Sequence, residues 1–307
     1  MKLTILGSSS ALPTSERYPS AHVLSAHERL FLIDCGEGTQ MQLRKNRIRF
    51  AKINDIFISH LHGDHVFGLY GLLSSFSLMG RKAPVHLYAP EKYYSILNSH
   101  LDDFDIHLSF EIDFIPLKGS DPVQILDDKY ITVSSFPLHH RVPAFGFIFR
   151  EKLSVRNIIK EKIEEYKIPS IRIPAIKKGE DFVTADGIVV KNEDITLPPP
   201  APLSYAYCSD TKYFRRLATF VKGVSLLYHE ATFDKSLDQL AKATGHSTTL
   251  DAAKTALDAG AGSLIIGHFS ARYKNLSILI EEARSLFPAT YAAIDGKSFE
   301  VGEIADP

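Results

Sequence analysis

Cysteine is scarce in this chain, long apolar runs are missing and charge of neither sign prevails, and each shortage removes a class of protein. Cys35 and Cys208 are too few for a disulfide framework and lack any CxxC spacing, which fits a reducing, cytoplasmic setting. The opening MKLTILGSSSALP offers only a brief apolar run before its glycine and serines, too short for a signal-peptide core. No uninterrupted apolar run approaches the span of a bilayer, so no membrane partner is expected. A formal net charge of −1, from 35 basic and 36 acidic residues, leaves any nucleic-acid binding to local patches. No internal repeat is found. What remains is an ordinary soluble composition, 45% hydrophobic and 23% charged, and 307 residues suffice for one large domain or two smaller ones.

Short β-branched apolar runs alternate with helical patterns, the signature of an α/β layered fold. Strands are predicted at 2–6, 22–26, 29–34, 55–59, 85–89, 130–136, 144–149, 204–209, 224–229 and 263–268. Over 65–79, Leu69, Leu72, Leu73, Phe76 and Met79 recur at spacings of three and four, one face of a helix. The residues after Pro90, EKYYSILNSHL, and NLSILIEEARSLF at 275–287 read as further helices.

One segment breaks this rhythm. From about 150 to 200 the chain runs through REKLSVRNIIKEKIEEYKIPSIRIPAIKKGEDF to the proline cluster LPPPAP. Within 150–178 nine lysines and arginines face four acids, an excess of five. A solvated surface helix laced with i,i+4 pairs is one reading. A projecting basic arm suited to a polyanion is the other.

The densest chemistry lies in ISHLHGDHVFGL, which places His60, His62, Asp64 and His65 within six positions. Residues at i, i+2, i+4 and i+5 cannot all share one face of a helix or strand, so the segment must be a loop folding back on itself. His60 and His62 could then face one metal while Asp64 and His65 turn toward a second, with Gly63 giving freedom at the turn. Further ligand types stand where apolar runs end, the sheet edge at which α/β folds collect ligands. These are His139 and His140, Asp210, His229 and Glu230, and His268, with His246 in a Gly/Ser/Thr loop before a helical pattern. Singly, each also reads as a cap, a turn residue or a surface neighbour; together they repeat one placement.

HLHGDH is similar to the HxHxDH motif of the metallo-β-lactamase superfamily. GSSSALPTSERYPSAHVL, FLIDCGEGTQMQL, PLHHRVPAFGF, HEATF, GHST and IIGHFSARY together resemble the ribonuclease Z family, the short-form tRNA 3′-processing endonucleases, over nearly the whole chain. The resemblance implies an α/β fold, a four-layer αββα sandwich forming a single domain over 1–307, with 150–200 an inserted basic arm and candidate tRNA exosite. It implies two Zn²⁺ ions per subunit, one on His60, His62 and His140, the other on Asp64, His65 and His268, with Asp210 bridging. His140 rather than His139 matches because the family's ligand lies five residues before the aromatic of FGF, here Phe145. Asp64 would help activate the attacking water, and His246 backed by Glu230 would serve the leaving 3′ oxygen. Precursor tRNA is the implied partner, a homodimer the implied assembly. A PxKxRN loop common in the family is kept here only at Pro13 and Arg17.

These residue types suit the chemistry. Imidazole and carboxylate suit zinc, two metals about 3.5–4 Å apart can clamp a phosphodiester, and an alkoxide leaves poorly unless an acid meets it. Two rival expectations are a two-zinc phosphodiesterase for small or cyclic nucleotide diesters and a non-catalytic RNA-binding module stabilised by zinc.

Overall fold

The computed structural model describes residues 1–303, and two compact units emerge from it. The larger comprises Met1–Asp127, Thr132–Phe149 and the chain from Leu203 onward; the smaller comprises Asp128–Ile131 and Arg150–Pro202.

The larger unit contains two seven-stranded sheets. The first is ordered Ser298–Glu300, Lys2–Gly7, Ala21–Ala26, Arg29–Ile33, Ile53–Phe57, Val85–Pro90 and Ile112–Leu117. Pairing is antiparallel as far as Arg29–Ile33 and parallel beyond it. The second is ordered Thr290–Ala292, Ser263–Gly267, Leu226–Glu230, Ser204–Cys208, Ala144–Glu151, Ile131–Leu138 and Val123–Asp127. Its first four strands run parallel and its last pair antiparallel.

Alternation along the strands sends side chains to two different cores. Phe31 and Phe57 of the first sheet meet Phe149 and Phe147 of the second, at centroid separations of 5.4 Å in both cases. On the first sheet's other face, Leu32, Ile56 and Leu87 are buried with Leu69, Leu72, Leu73 and Phe76 of helix Gly68–Leu78 and Leu97 of helix Tyr93–Asp103. Helices Thr249–Ala259 and Ser277–Arg284 bury alanines and Leu279 beside the strands of the second sheet. The layers are therefore helix, sheet, sheet, helix, the expected αββα sandwich. Strands buried on both faces explain why the central ones read as continuous apolar runs.

The single helix expected over 65–79 is interrupted. Gly63–Val66 and Gly68–Leu78 are separate helices, because the Gly68 amide leaves the helical ladder and donates to the Cys35 carbonyl at 2.9 Å. Gly63 also differs from expectation. It starts a helix rather than standing at a sharp loop turn, and a Cβ there would lie 2.3 Å from the exposed Phe67 ring, which a larger residue would have to displace.

The smaller unit is not one long surface helix. Its helices, Lys160–Glu165, Ile173–Lys177 and Asn192–Ile195, are short, and two-stranded ladders pair Asn157–Ile158 with Thr196–Leu197 and Phe182–Val183 with Val189–Val190. Ile168, Ile176, Phe182, Val190 and Ile195 form a small core of their own. Asn192 knits it together, its side-chain amide donating to the carbonyls of Ile176 (2.7 Å) and Glu180 (2.8 Å). Among the described residues no helix is long and apolar enough to cross a membrane.

Candidate metal centre and active site

The parallel strands deliver their C-terminal ends to one edge of the sandwich. Asp34 follows Arg29–Ile33, His60 and His62 follow Ile53–Phe57, Asp210 follows Ser204–Cys208, Glu230 closes Leu226–Glu230 and His268 follows Ser263–Gly267. His140 arrives from the end of Ile131–Leu138. Ser59 links the sheets at this edge, its carbonyl accepting from the Phe145 amide at 2.9 Å.

Two groups of ligand-type atoms form there. In the first, His62 Nδ1 lies 3.1 Å from His60 Nε2 and 3.2 Å from His140 Nε2, while Asp210 Oδ2 lies 3.5 and 3.8 Å from those two Nε2 atoms. In the second, Asp64 Oδ2 is 3.4 Å from His65 Nε2 and 3.3 Å from His268 Nε2. Asp210 Oδ1 is 3.5 and 3.2 Å from the same nitrogens. One carboxylate thus gives one oxygen to each group. Asp210 Oδ1 is buried and accepts no hydrogen bond, an atom shaped for a cation. Donor separations near 3.4 Å are the edges of a tetrahedron with bonds of about 2.0–2.1 Å, so both groups fit a divalent metal.

The far sides of four of the five imidazoles are held. His65 Nδ1 donates to Asp34 Oδ2 at 2.7 Å, and that oxygen also accepts from Ser59 Oγ (2.8 Å) and the Tyr207 hydroxyl (2.6 Å). His140 Nδ1 donates to the Gly245 carbonyl at 2.7 Å. His60 Nδ1 meets Ser59 Oγ at 3.1 Å and His268 Nδ1 meets Thr232 Oγ1 at 2.9 Å. Gly245 must be glycine, since its φ is 86° and a Cβ would stand 2.9 Å from His140 Nδ1. Such partners fix ring orientation and tautomer.

The electrostatics divide the groups. Burial, with the imidazoles around it, pushes His60 well below the ordinary histidine range, and burial also lowers His62 and His140. Burial opposes charge on His65 too, but Asp64, Asp210 and Asp34 outweigh it and raise that ring well above its ordinary value. Burial opposes ionisation of Asp64, yet His65 and His268 hold it well below the usual carboxylate range.

Beside these groups His246 Nδ1 lies 3.0 Å from Glu230 Oε1. Glu230 is fully buried and accepts from the amides of Thr211, Ser247 and Thr232 and from the Thr232 hydroxyl. Burial works against its charge, but His246 and these donors bring it down to about 2. Burial likewise opposes charge on His246, and Glu230 and Asp210 raise it to about 9. A cavity of about 660 Å³ lies over the site, lined by His62, Asp64, His140, Asp210, His246 and His268 among others.

The seven residues expected as metal ligands and the His246–Glu230 pair therefore come together. His139 and His229 stay apart. His139 is exposed and stacks on Phe214 at 3.9 Å, and buried His229 donates from Nδ1 to the Glu230 carbonyl at 2.6 Å. Sequence reasoning missed Asp34, Ser59 and Thr232. Asp34 carried a usable signal, being an acid at the end of an apolar run like the other site residues.

Comparison with known proteins gives this geometry a lineage. A family model described as Anti-Pycsar protein Apyc1 matches residues 1–154. Ribonuclease Z of Bacteroides thetaiotaomicron is 43% identical over 99% of this chain and 96% of its own, and that of Bacteroides fragilis is 45% identical over 95% and 96%. The crystal structure of the human short-form tRNase Z, 26% identical, has a TM-score of 0.72 over 98% of this chain and 99% of that one. The chain belongs to the ribonuclease Z family. It is a metal-dependent endoribonuclease with the metallo-β-lactamase fold. The first half falls within the Apyc1 family model as well, but that match stops before Asp210, Glu230, His246 and His268, whereas the ribonuclease Z relatives extend across them.

Proposed function

We propose that this protein removes 3′ trailers from precursor tRNA, hydrolysing one phosphodiester so that the tRNA keeps a 3′ hydroxyl, with two zinc ions per subunit. His60, His62 and His140 would hold one ion, Asp64, His65 and His268 the other, and Asp210 would serve both. A donor set of imidazole and carboxylate without thiolate suits zinc in a catalytic role. When bound, the ions supply a water acidified toward neutral pH and draw off charge developing on the phosphate. The observation that carries the reading is the divided Asp210 carboxylate standing next to a charged His246–Glu230 pair, since a purely structural metal site needs no acid at its edge.

The protein's own groups then have distinct tasks. Asp64, ionised and lining the cavity, orients the attacking water by accepting from it. His246, kept protonated by Glu230, gives its proton to the leaving 3′ oxygen. Glu230 does not move, because Thr211, Thr232 and Ser247 pin both of its oxygens. The basic segment at 150–200 grips the tRNA away from the cut, and the enzyme works in the cytoplasm as a homodimer.

The test is incubation of the zinc-loaded protein with a precursor tRNA carrying a 3′ trailer, products resolved to the nucleotide, beside a chelated control. A single metal-dependent cut after the discriminator base supports the reading. Brisk hydrolysis of small diesters without that cut would turn it toward the small or cyclic nucleotide phosphodiesterase.

A further inference from the structure

Two residues beyond Asp210 begins the segment KYFRRLATFVK, residues 212–222, which contains four cations and no acid. Aromatic residues alternate with the charges. The Arg216 guanidinium lies 5.0 Å over the Phe220 ring and donates to Asp121 at 2.6 Å, while Lys212 and Arg215 have no carboxylate partner among the described residues. Tyr213, Arg215, Thr219 and Lys222 line a groove of about 550 Å³ whose other wall is Lys254 and Asp258 of helix Thr249–Ala259. Asp258 is its one acid, and Lys254 is paired with it.

Both walls of the groove are connected to the His246 side of the site rather than to the His60–His65 loop. Ser247 Oγ donates to the Thr211 carbonyl at 2.7 Å, and the Thr211 amide donates to Glu230. The Lys212 amide donates to the His139 carbonyl at 2.8 Å. Helix Thr249–Ala259, which carries Lys254, starts directly after the His246 loop. The groove-lining segment and the His246 loop are thus tied together beneath the surface, through buried Thr211 and Ser247.

We propose that the groove binds backbone phosphates of the RNA strand that ends in the leaving 3′ oxygen, with exposed Tyr213 as a stacking surface. A cationic channel interleaved with aromatic rings is the general solution for holding a nucleic-acid strand without reading its sequence. The assignment of the strand rests on the functional reading above, in which His246 meets the leaving oxygen.

The ligand for the test is a tRNA that already ends at the discriminator base, which cannot be cut, so binding is read without turnover. The variant is Arg215→Ala/Lys222→Ala/Lys254→Ala, three exposed positions, with chromogenic diester hydrolysis as the check on folding and metal loading. Fluorescence anisotropy on the zinc-loaded protein should show affinity roughly 10- to 100-fold weaker at low salt, and a log–log salt slope shallower by about two to three. Unchanged affinity for this tRNA would overturn the proposal. If only precursors with long trailers bound more weakly, the groove would belong to the trailer side of the cut and the proposal would likewise fall. Wild-type protein that neither binds nor cuts any tRNA would sink the underlying functional reading, before any variant was made.

Discussion

His60, His62 and His140 gather around one oxygen of Asp210 with neutral groups behind them, a serine hydroxyl and a glycine carbonyl. His65 and His268 gather around the other oxygen with Asp64 beside them and the Asp34 carboxylate behind His65. The two halves share a bridge and differ in the charge at their backs. His60, His62 and His140 are all lowered toward neutral imidazole, while His65 is raised. Ligand identity is thus only part of a metal site. The rear partner sets how much negative charge a cation meets, and the half built on Asp64 and Asp34 should hold its ion more tightly.

The comparison can be broken at its most sensitive point first. Asp64→Ala should reduce turnover of a chromogenic diester on the order of 10⁴-fold while tRNA affinity stays near wild type; undiminished turnover would remove Asp64 from the chemistry. Next comes His246→Ala, for which cleavage of precursor tRNA should drop roughly 10³-fold. Hydrolysis of a p-nitrophenyl diester, whose leaving group needs no proton, should change little. Similar losses on both substrates would make His246–Glu230 a structural contact. His140→Ala should cost about 10²-fold in activity and His139→Ala about twofold at most, its ring resting on Phe214 outside the cluster; the reverse order would exchange the two assignments. The smallest effects sharpen the asymmetry itself. By metal titration, Asp34→Asn should weaken one of the two ions roughly tenfold and the other by no more than about two- to threefold. Equal shifts would mean that the halves are alike.

The strands legible in the sequence are those in the middle of the sheets. Ile112–Leu117, Val123–Asp127, Thr290–Ala292 and Ser298–Glu300 were not anticipated, and all four are edge strands. Paired on one side only and partly solvated, they carry residues such as Asp113 and Pro116 that break an apolar run. The site follows the same logic. The HLHGDH loop announces itself because its ligands are neighbours in the chain. His140, Asp210 and His268 each look ordinary, and needed a resemblance to be chosen over residues such as His139. Ser59, Thr232 and the Gly245 carbonyl had no such help, since a hydrogen bond to the back of an imidazole leaves no spacing to detect.

Asp34 and His268 sit on either side of His65 with φ of 55° and 59°, in the left-handed region where a side chain crowds its own backbone. Asp34, Asp210 and Glu230 are all buried at the same place. A fold that concentrates backbone strain and like charge in one spot gives up thermal tolerance there, and cations that neutralise the spot return it. Heat resistance should therefore track metal content, with chelation lowering the melting temperature by about 5 °C or more, so that a melting curve would report occupancy of the centre with no substrate present.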